Sequence, residues 1–173
     1  MSKEMTSKDA PISLVAYDPT WPQRFEEEKV SLHQALACWL VGPIVHIGST
    51  AVPGMSAKPV IDIMAAVGSL AESKDAVAAL APLGYLYAPY RQDVMHWFCK
   101  PHFSFRTHHL HLVPFQSELW TARIAFRDRL RQDEEVAAEY LKLKRELAAV
   151  FGDDREAYTD GKGAFVARIV AES

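Results

Sequence analysis

Cysteine is nearly missing from this chain: only Cys38 and Cys99 occur in 173 residues, far apart and with no CxxC spacing. That excludes a disulfide-stapled scaffold and a cysteine-rich zinc site. With apolar neighbours on either side, Ala37 and Trp39 or Trp97 and Phe98, both read as buried free thiols in a reducing cytosol. Long hydrophobic runs are missing as well. No stretch approaches the roughly 18 consecutive apolar residues that a membrane span needs, so a soluble, cytoplasmic protein is expected. A strong charge of one sign is also missing. The net charge of -3 argues against broad nucleic-acid binding and makes a small-molecule ligand the default. There is no internal repeat or low-complexity tract, and Met1 to Pro11 has no apolar core of a secretory signal, so residues 1–13 read as a flexible arm. What is there, 49% hydrophobic and 24% charged, suits one domain over residues 14–173.

Along the chain, Tyr17-Asp18-Pro19-Thr20-Trp21-Pro22 reads as an aromatic anchor and a helix start, with Thr20 as cap and Pro22 in the first turn. Phe25, Lys29, Leu32, Leu36 and Leu40 recur at helical spacing, and Gly42-Pro43 stops the element. Ile44 to Ile47 reads as a short strand and Val60 to Val67 as a central strand buried on both faces. Ser69 or Ser73 opens a second helix that Gly84 closes. Tyr85 to Tyr87, Met95 to Lys100 and Arg106 to Val113 are the remaining strands, the last two pairing as a hairpin. From Ser117 the texture is helical: to about Arg131, then Asp133 to about Phe151, then Asp153 or Asp154 to about Ala171. Strands first and helices last predict an α+β domain, a mixed sheet flanked by helices with a helical carboxy-terminal layer.

The most informative stretch is His46 to Ile63. An apolar segment runs into Gly48-Ser49, a turn-rich loop follows, and the next apolar segment carries one carboxylate, Asp62. A glycine lets backbone approach an oxyanion, a neighbouring hydroxyl donates a hydrogen bond, and an Asp on a nearby strand can hold a divalent cation against the same phosphate. The plainer reading is a tight loop between core strands, with Asp62 capping a neighbour. Lys58, just before the Asp62 strand, either counters phosphate charge or solvates the loop.

The second cluster is Arg106-Thr107-His108-His109-Leu110-His111. On a strand, residues two apart share a face, so His109 and His111 point one way while Leu110 and Leu112 point into the core. Two imidazoles on one face suit a metal pair, a proton-transfer pair or plain core packing. Arg106 shares the face of His108 if the strand is regular, and from the strand's entrance it can instead reach a phosphate; a single bulge changes the answer. In the helical tail, Phe126-Arg127-Asp128-Arg129-Leu130-Arg131, Tyr140, Lys144, Tyr158 and Lys162 mix cations with aromatics, and most such charges are solvated helix faces. His46 and Asp18 are weaker candidates.

Together these segments resemble the GrpB family, a group related to the nucleotidyltransferase superfamily. The matching residues are Tyr17-Asp18-Pro19 with Trp21-Pro22, His46 to Asp62, Thr107 to Val113, Phe126-Arg127-Asp128 with Leu130-Arg131, and Tyr158 with Lys162. The resemblance implies a nucleotidyltransferase-like fold with Gly48-Ser49 in the place of the phosphate-gripping turn and Asp62 in that of the first metal-binding carboxylate. A related module fused to dephospho-CoA kinase in some bacteria implies an accessory or nucleotide-binding role. This chain departs from the superfamily pattern at Met64, where a second carboxylate would stand, and offers His109 and His111 where a third is usual. One aspartate is too little anionic charge for two cations, and imidazoles favour zinc or manganese over magnesium.

Three functions compete. The first is metal-assisted nucleotidyl transfer to a small acceptor, with Asp62, His109 and His111 on the metal and catalytic, and Gly48, Ser49, Lys58 and Arg106 on phosphate. The second is a non-catalytic module binding a nucleotide or CoA precursor. The third is a metal-dependent phosphoesterase or other hydrolase that uses the histidines and Asp62 to activate water. The expected partner is a phosphate-bearing small molecule or nucleotide, the expected cofactor a divalent metal (Mn, Zn or Mg), and the oligomeric state is left open.

Overall fold

Seven residues, Ile61–Val67, form strand β2, and every one is buried except Asp62, which is partly exposed. A run this apolar has to be covered on both faces, and it is flanked by strands on both edges. The computed structural model describes residues 10–173. Strand β1 is Leu40–Ile47, β3 is Leu86–Ala88, β4 is His96–Pro101 and β5 is Arg106–Pro114. The five make one sheet in the order β1-β2-β5-β4-β3, parallel only between β2 and β5. The register sets Asp62 opposite Ile47 on one side and His109 on the other, and Met64 opposite Val45 and His111. Alternate residues of three adjacent strands therefore share a face.

Helix α1, Trp21–Ala35, covers one face. Trp21, Phe25, Leu32 and Leu36 pack on Ile61, Ile63, Phe98, Leu110 and Leu112. Helix α2 is Ala76–Leu80 and α3 is Glu118–Gln132. The latter covers the other face, where Trp120 joins Met64, Ala66, Trp97, Cys99 and Val113. Ser117 caps α3, its Oγ accepting from the Trp120 N–H, and Asp133 caps α4, Glu134–Phe151. Helices α5, Arg155–Asp160, and α6, Gly163–Ala171, complete a carboxy-terminal layer in which Leu130, Val136, Tyr140, Phe165 and Ile169 close over Val52 and Met55 of the loop after β1. The architecture is the expected α+β arrangement of a mixed sheet with helices.

Several elements differ from the sequence reading. Helix α1 stops at Ala35, and Gly42-Pro43 lies inside β1 instead of ending the helix. An edge strand tolerates proline because one row of its N–H groups needs no partner, and the pairing shifts register between Leu40 and Ile44. The second helix shrinks to α2 plus a 3-10 turn, with Gly84 left-handed at φ 82°. The last helix is two, broken after Asp160 at Gly161-Lys162. Thr20 makes no side-chain cap; Asp18 instead accepts from the Thr20 N–H at 2.8 Å and its hydroxyl at 2.7 Å, which accounts for Asp18 locally. Cys38 is exposed, not buried, because it lies in the turn between α1 and β1, whereas Cys99 is buried within β4. Of the expected arm, residues 1–9 lie outside the described residues. Beyond them, the Ala10 N–H donates to the Ser104 carbonyl at 3.2 Å and the Ile12 N–H to the Gly152 carbonyl at 2.8 Å.

Candidate metal and phosphate site

Because β2 and β5 run parallel in register, Asp62 lies beside His109, with His111 two residues further along the same face. Asp62 Oδ1 is 2.9 Å from His109 Nδ1 and 3.7 Å from His111 Nε2. One ligand atom from each residue falls within 4.8 Å of the others, so the three could hold one metal ion. Burial alone would raise the Asp62 pKa, but the charge and hydrogen bond of His109, joined by His111, hold it well below the usual carboxylate range. His111 is pushed down to about 3, by burial first and then by the Arg123 guanidinium, against the pull of Asp62. At neutral pH the carboxylate is ionised and the His111 imidazole is neutral, the states that metal ligation requires. One oxygen and two imidazole nitrogens make a donor set for zinc, manganese or iron rather than magnesium. Met64 is wholly buried in the core under this face, so no second carboxylate is available there.

Gly48 stands directly against Asp62. Its φ is 72°, and a Cβ on it would come within 2.6 Å of Asp62 Oδ2, so backbone conformation and space both require glycine. Ser49 opens a 3-10 turn, Ser49–Ala51. Its Oγ accepts from Lys144 Nζ at 3.1 Å, and Lys144 also donates to the Ser56 carbonyl at 2.7 Å. Lys144, only 2% exposed, has its pKa lowered to about 7 by burial and by the charges of Lys162 and Lys58. Lys162 is lowered to about 8 by burial and Lys58, partly offset by Asp62. Both Lys58 and Lys162 approach the Tyr158 ring, at 5.1 and 4.4 Å from its centroid. Lys144 thus touches the Gly48-Ser49 turn, and Lys58 and Lys162, both over the Tyr158 ring, oppose its charge.

Of these, sequence reasoning singled out Lys58 and left Lys144 and Lys162 among the solvated cations. A signal was there for Lys144: Val136, Tyr140 and Lys144 recur every four residues, and the first two are core, so the lysine falls on the apolar stripe of its helix.

Arg106 comes to the other end of the site. Between Lys100 and Pro101 the β4–β5 pairing slips by one residue, from Lys100↔His108 to Pro101↔Arg106, leaving Thr107 extra. The bulge turns Arg106 off the His108 face, so the regular-strand expectation does not hold. The Arg106 guanidinium lies 5.1 Å over the Trp97 ring, and its Nε donates to the Phe103 carbonyl at 2.7 Å. Trp97 in turn packs against His109, with ring centroids 5.2 Å apart. Arg123 of α3, not foreseen from the sequence, reaches the same end. Its Nη2 is 3.8 Å from Met95 Sδ, a sulfur that also faces His111 Nδ1 at 3.4 Å.

His46 is buried behind the turn, stacked on Phe25 at 4.9 Å, with Nε2 2.9 Å from Thr50 Oγ1. Burial lowers its pKa to about 4. Thr50 Oγ1 donates to the Val60 carbonyl at 3.0 Å, Arg127 Nη1 to the His46 carbonyl at 3.1 Å and Arg131 Nε to the Ala51 carbonyl at 2.8 Å. These groups hold the loop that carries Gly48 and Ser49.

Comparison with known proteins bears out the family resemblance read from the sequence. Residues 11–172 match the family described as GrpB protein. A UPF0157 protein of Pseudomonas aeruginosa is 38% identical over 170 residues, covering 95% of this chain and 69% of that protein. The glutamate-rich protein GrpB of Alkalihalophilus pseudofirmus is 35% identical over 166 residues, covering 93% and 95%. The crystal structure of the conserved protein GrpB from Enterococcus faecalis superposes with a TM-score of 0.83 at 31% identity, covering 92% of this chain and 96% of that one. The chain belongs to the GrpB family.

Proposed function

We propose that this protein binds a phosphate-bearing small molecule at the Gly48-Ser49 turn and acts on it with a divalent transition metal held by Asp62, His109 and His111, as a nucleotidyltransferase-like enzyme. The observation that carries the reading is the convergence of Lys58, Lys144 and Lys162 on a turn that abuts the Asp62–His109–His111 group. Clustered, partly buried cations are unfavourable alone and become favourable when an anion arrives. In this reading Gly48 leaves room for the phosphate, the Ser49 hydroxyl donates to it, and the three lysines neutralise it. Arg106 sits at the opposite end and contacts the remainder of the ligand. When bound, the metal supplies Lewis-acid polarisation of a phosphoryl oxygen. Asp62 and neutral His111 provide ligands without first losing a proton, and Trp97 shields His109 from water.

The approach of two imidazoles to Asp62, His109 at 2.9 Å and His111 at 3.7 Å, favours an enzyme over a non-catalytic nucleotide- or CoA-precursor-binding module. With water as acceptor, the same site would be a phosphoesterase. Among the described residues no helix is long and apolar enough to cross a membrane. We place the protein in the cytosol on the reading of its two free thiols.

Thermal-shift measurement against nucleotides with and without Mg²⁺, Mn²⁺ and Zn²⁺ tests the proposal. Ligand at about 100 times its Kd adds about 2.7 kcal/mol to native stability. Nucleotide with Mn²⁺ or Zn²⁺ should raise the melting temperature above either alone, and Asp62→Asn should abolish the metal's share. A melting temperature unmoved by every phosphate-bearing ligand would overturn it.

A further inference from the structure

We infer that Arg123, with Arg91 and Tyr90 beside it, forms a second oxyanion subsite on the β4 side of the Asp62–His109–His111 group, for the carboxylate or phosphate of a second small substrate. The inference rests on the reading of the lysine end as the first phosphate subsite. It starts from a guanidinium that has little to bind. Arg123 Nη1 is buried and has no hydrogen-bond partner, and Nη2 has only the Met95 sulfur, a weak acceptor, at 3.8 Å. The other arginines of α3 all reach carboxylates: Arg127 and Asp128 at 2.7 Å, Arg129 and Asp133 at 3.0 Å, Arg131 and Asp128 at 4.0 Å. Among the described residues Arg123 has no such partner.

The location gives the vacant donors a purpose. Trp120 and Ile124 anchor α3 in the core under the sheet face that carries the site, and Arg123 projects from between them to the Met95 sulfur that also faces His111. Arg91 and the Tyr90 phenol are its electrostatic neighbours along with Asp62. Arg91 is exposed, and Tyr90, 48% exposed, stands edge-on to Trp97 at 6.3 Å. The charge of Arg91 opposes that of Arg123, an anion between them relieves that repulsion, and a planar guanidinium fork matches a carboxylate or phosphate better than a single-point acceptor. In the sheet order the Gly48-Ser49 turn ends β1 and Trp97 lies on β4, with β2 and β5 between. The group on β2 and β5 is thus flanked by lysines on one side and arginines on the other. Two anions brought to opposite sides of one centre are what transfer between two acidic molecules needs.

Separate titrations of inorganic phosphate and acetate into the ¹⁵N-labelled full chain, followed by NMR, test this. Two groups of amides should respond to phosphate, one at Gly48 and Ser49 and one at Tyr90 and Arg91. Arg123→Gln should weaken the second response about tenfold and spare the first. Lys144→Gln with Lys162→Gln should do the reverse, and Arg123→Lys, a charge without the fork, should fall between wild type and Arg123→Gln. A response to acetate at Tyr90 and Arg91 identifies a carboxylate ligand; a response to phosphate alone identifies a phosphate. If the Tyr90 and Arg91 response is missing in wild type, or if it survives unchanged in Arg123→Gln, the second subsite is refuted. Loss of only the Gly48 and Ser49 response in wild type would refute the proposed function instead. Should Arg123→Gln not fold, full-strength binding at Tyr90 and Arg91 by Arg123→Lys counts against the subsite.

Discussion

Two polar clusters sit on opposite faces of the same sheet, and they are built from similar residues with opposite outcomes. Against α1, Glu28 Oε1 accepts from Lys100 Nζ at 2.7 Å and from the Tyr85 hydroxyl at 2.8 Å. Glu28 Oε2 lies 4.0 Å from His108 Nε2, whose other nitrogen is 2.8 Å from Thr107 Oγ1. One anion meets one cation, the His108 pKa is lowered to about 4 chiefly by burial, and the donors are used up. On the other face Asp62 is, among the described residues, the one carboxylate acting on Lys162 and Arg123, with Lys58 and Lys144 nearby, while His109 Nε2 and Arg123 Nη1 are buried without partners there. The first cluster is a rivet between helix and sheet. The second leaves buried donors unused, as the proposed anionic ligand requires.

The widest separation between the clusters should come from a pair of isosteric changes. Asp62→Asn is expected to lower Mn²⁺ or Zn²⁺ affinity roughly 100-fold or more by calorimetric titration, since it removes the carboxylate of the donor set. Glu28→Gln should leave metal affinity alone and cost about 2–3 kcal/mol in urea unfolding, because it strands Lys100 in a mostly buried setting. The opposite pattern would exchange the roles given to the two faces.

Gly48→Ala comes next. An added Cβ 2.6 Å from Asp62 Oδ2, at a φ of 72°, should cost about 1–3 kcal/mol and weaken metal and phosphate binding together. Loss of stability with binding intact would detach the turn from the site.

Acid sensitivity sharpens the comparison, because each face contributes a histidine. His108 is held at about 4 and His111 at about 3, with His46 behind the turn at about 4. Their folded values lie below the unfolded value of about 6.5. The unfolded chain therefore binds more protons in that interval, and stability falls as pH drops from about 6.5 towards 4. Asp62 acts the same way further down: its depressed value stabilises above the unfolded pKa and is lost as pH falls through the folded one. In urea midpoints between pH 4 and 7, His108→Asn and His111→Asn should each flatten this decline. Only His111→Asn should also remove the stabilisation by added Mn²⁺ or Zn²⁺.

Smaller signals follow. Phosphate binding at pH 8–9 should be accompanied by proton uptake, read from calorimetry in buffers of different ionisation enthalpy, since an anion restores charge to Lys144 at about 7 and Lys162 at about 8. Binding without proton uptake would place the anion away from the lysines. Arg106→Ala should cost about 1–2 kcal/mol, since it loses both the stack on Trp97 and the hydrogen bond to the Phe103 carbonyl, measured by thermal unfolding.

Much of the molecule was legible in its sequence, and the residues that resisted were those whose role depends on partners distant in the chain. The Ser117 and Asp133 caps were readable because capping is decided within three residues. The break at Gly161-Lys162 was not, since an Asp-Gly-Lys step becomes a turn only when α5 and α6 pack on α4 and α3 respectively. The glycine turn and Asp62 could be paired because only a short loop, residues 49–60, separates Gly48 from the strongly apolar strand that carries Asp62. By contrast, the apolar stripe of α4 marks Lys144 as buried but not its partner, since Ser49 lies 95 residues away.

By itself, the sequence determined the alternation that gives Asp62, His109 and His111 fixed faces, the glycine that a left-handed turn needs, and the absence of a second carboxylate at Met64. These follow from backbone stereochemistry and residue type, which are local. Tertiary structure decided the parallel β2–β5 register that puts Asp62 beside His109, and the bulge at Thr107 that turns Arg106 onto Trp97. It also decided which of many cations are buried at the site. A cation's meaning is set by the charges and solvent around it, and those are supplied by strands and helices that the chain brings together only when it folds.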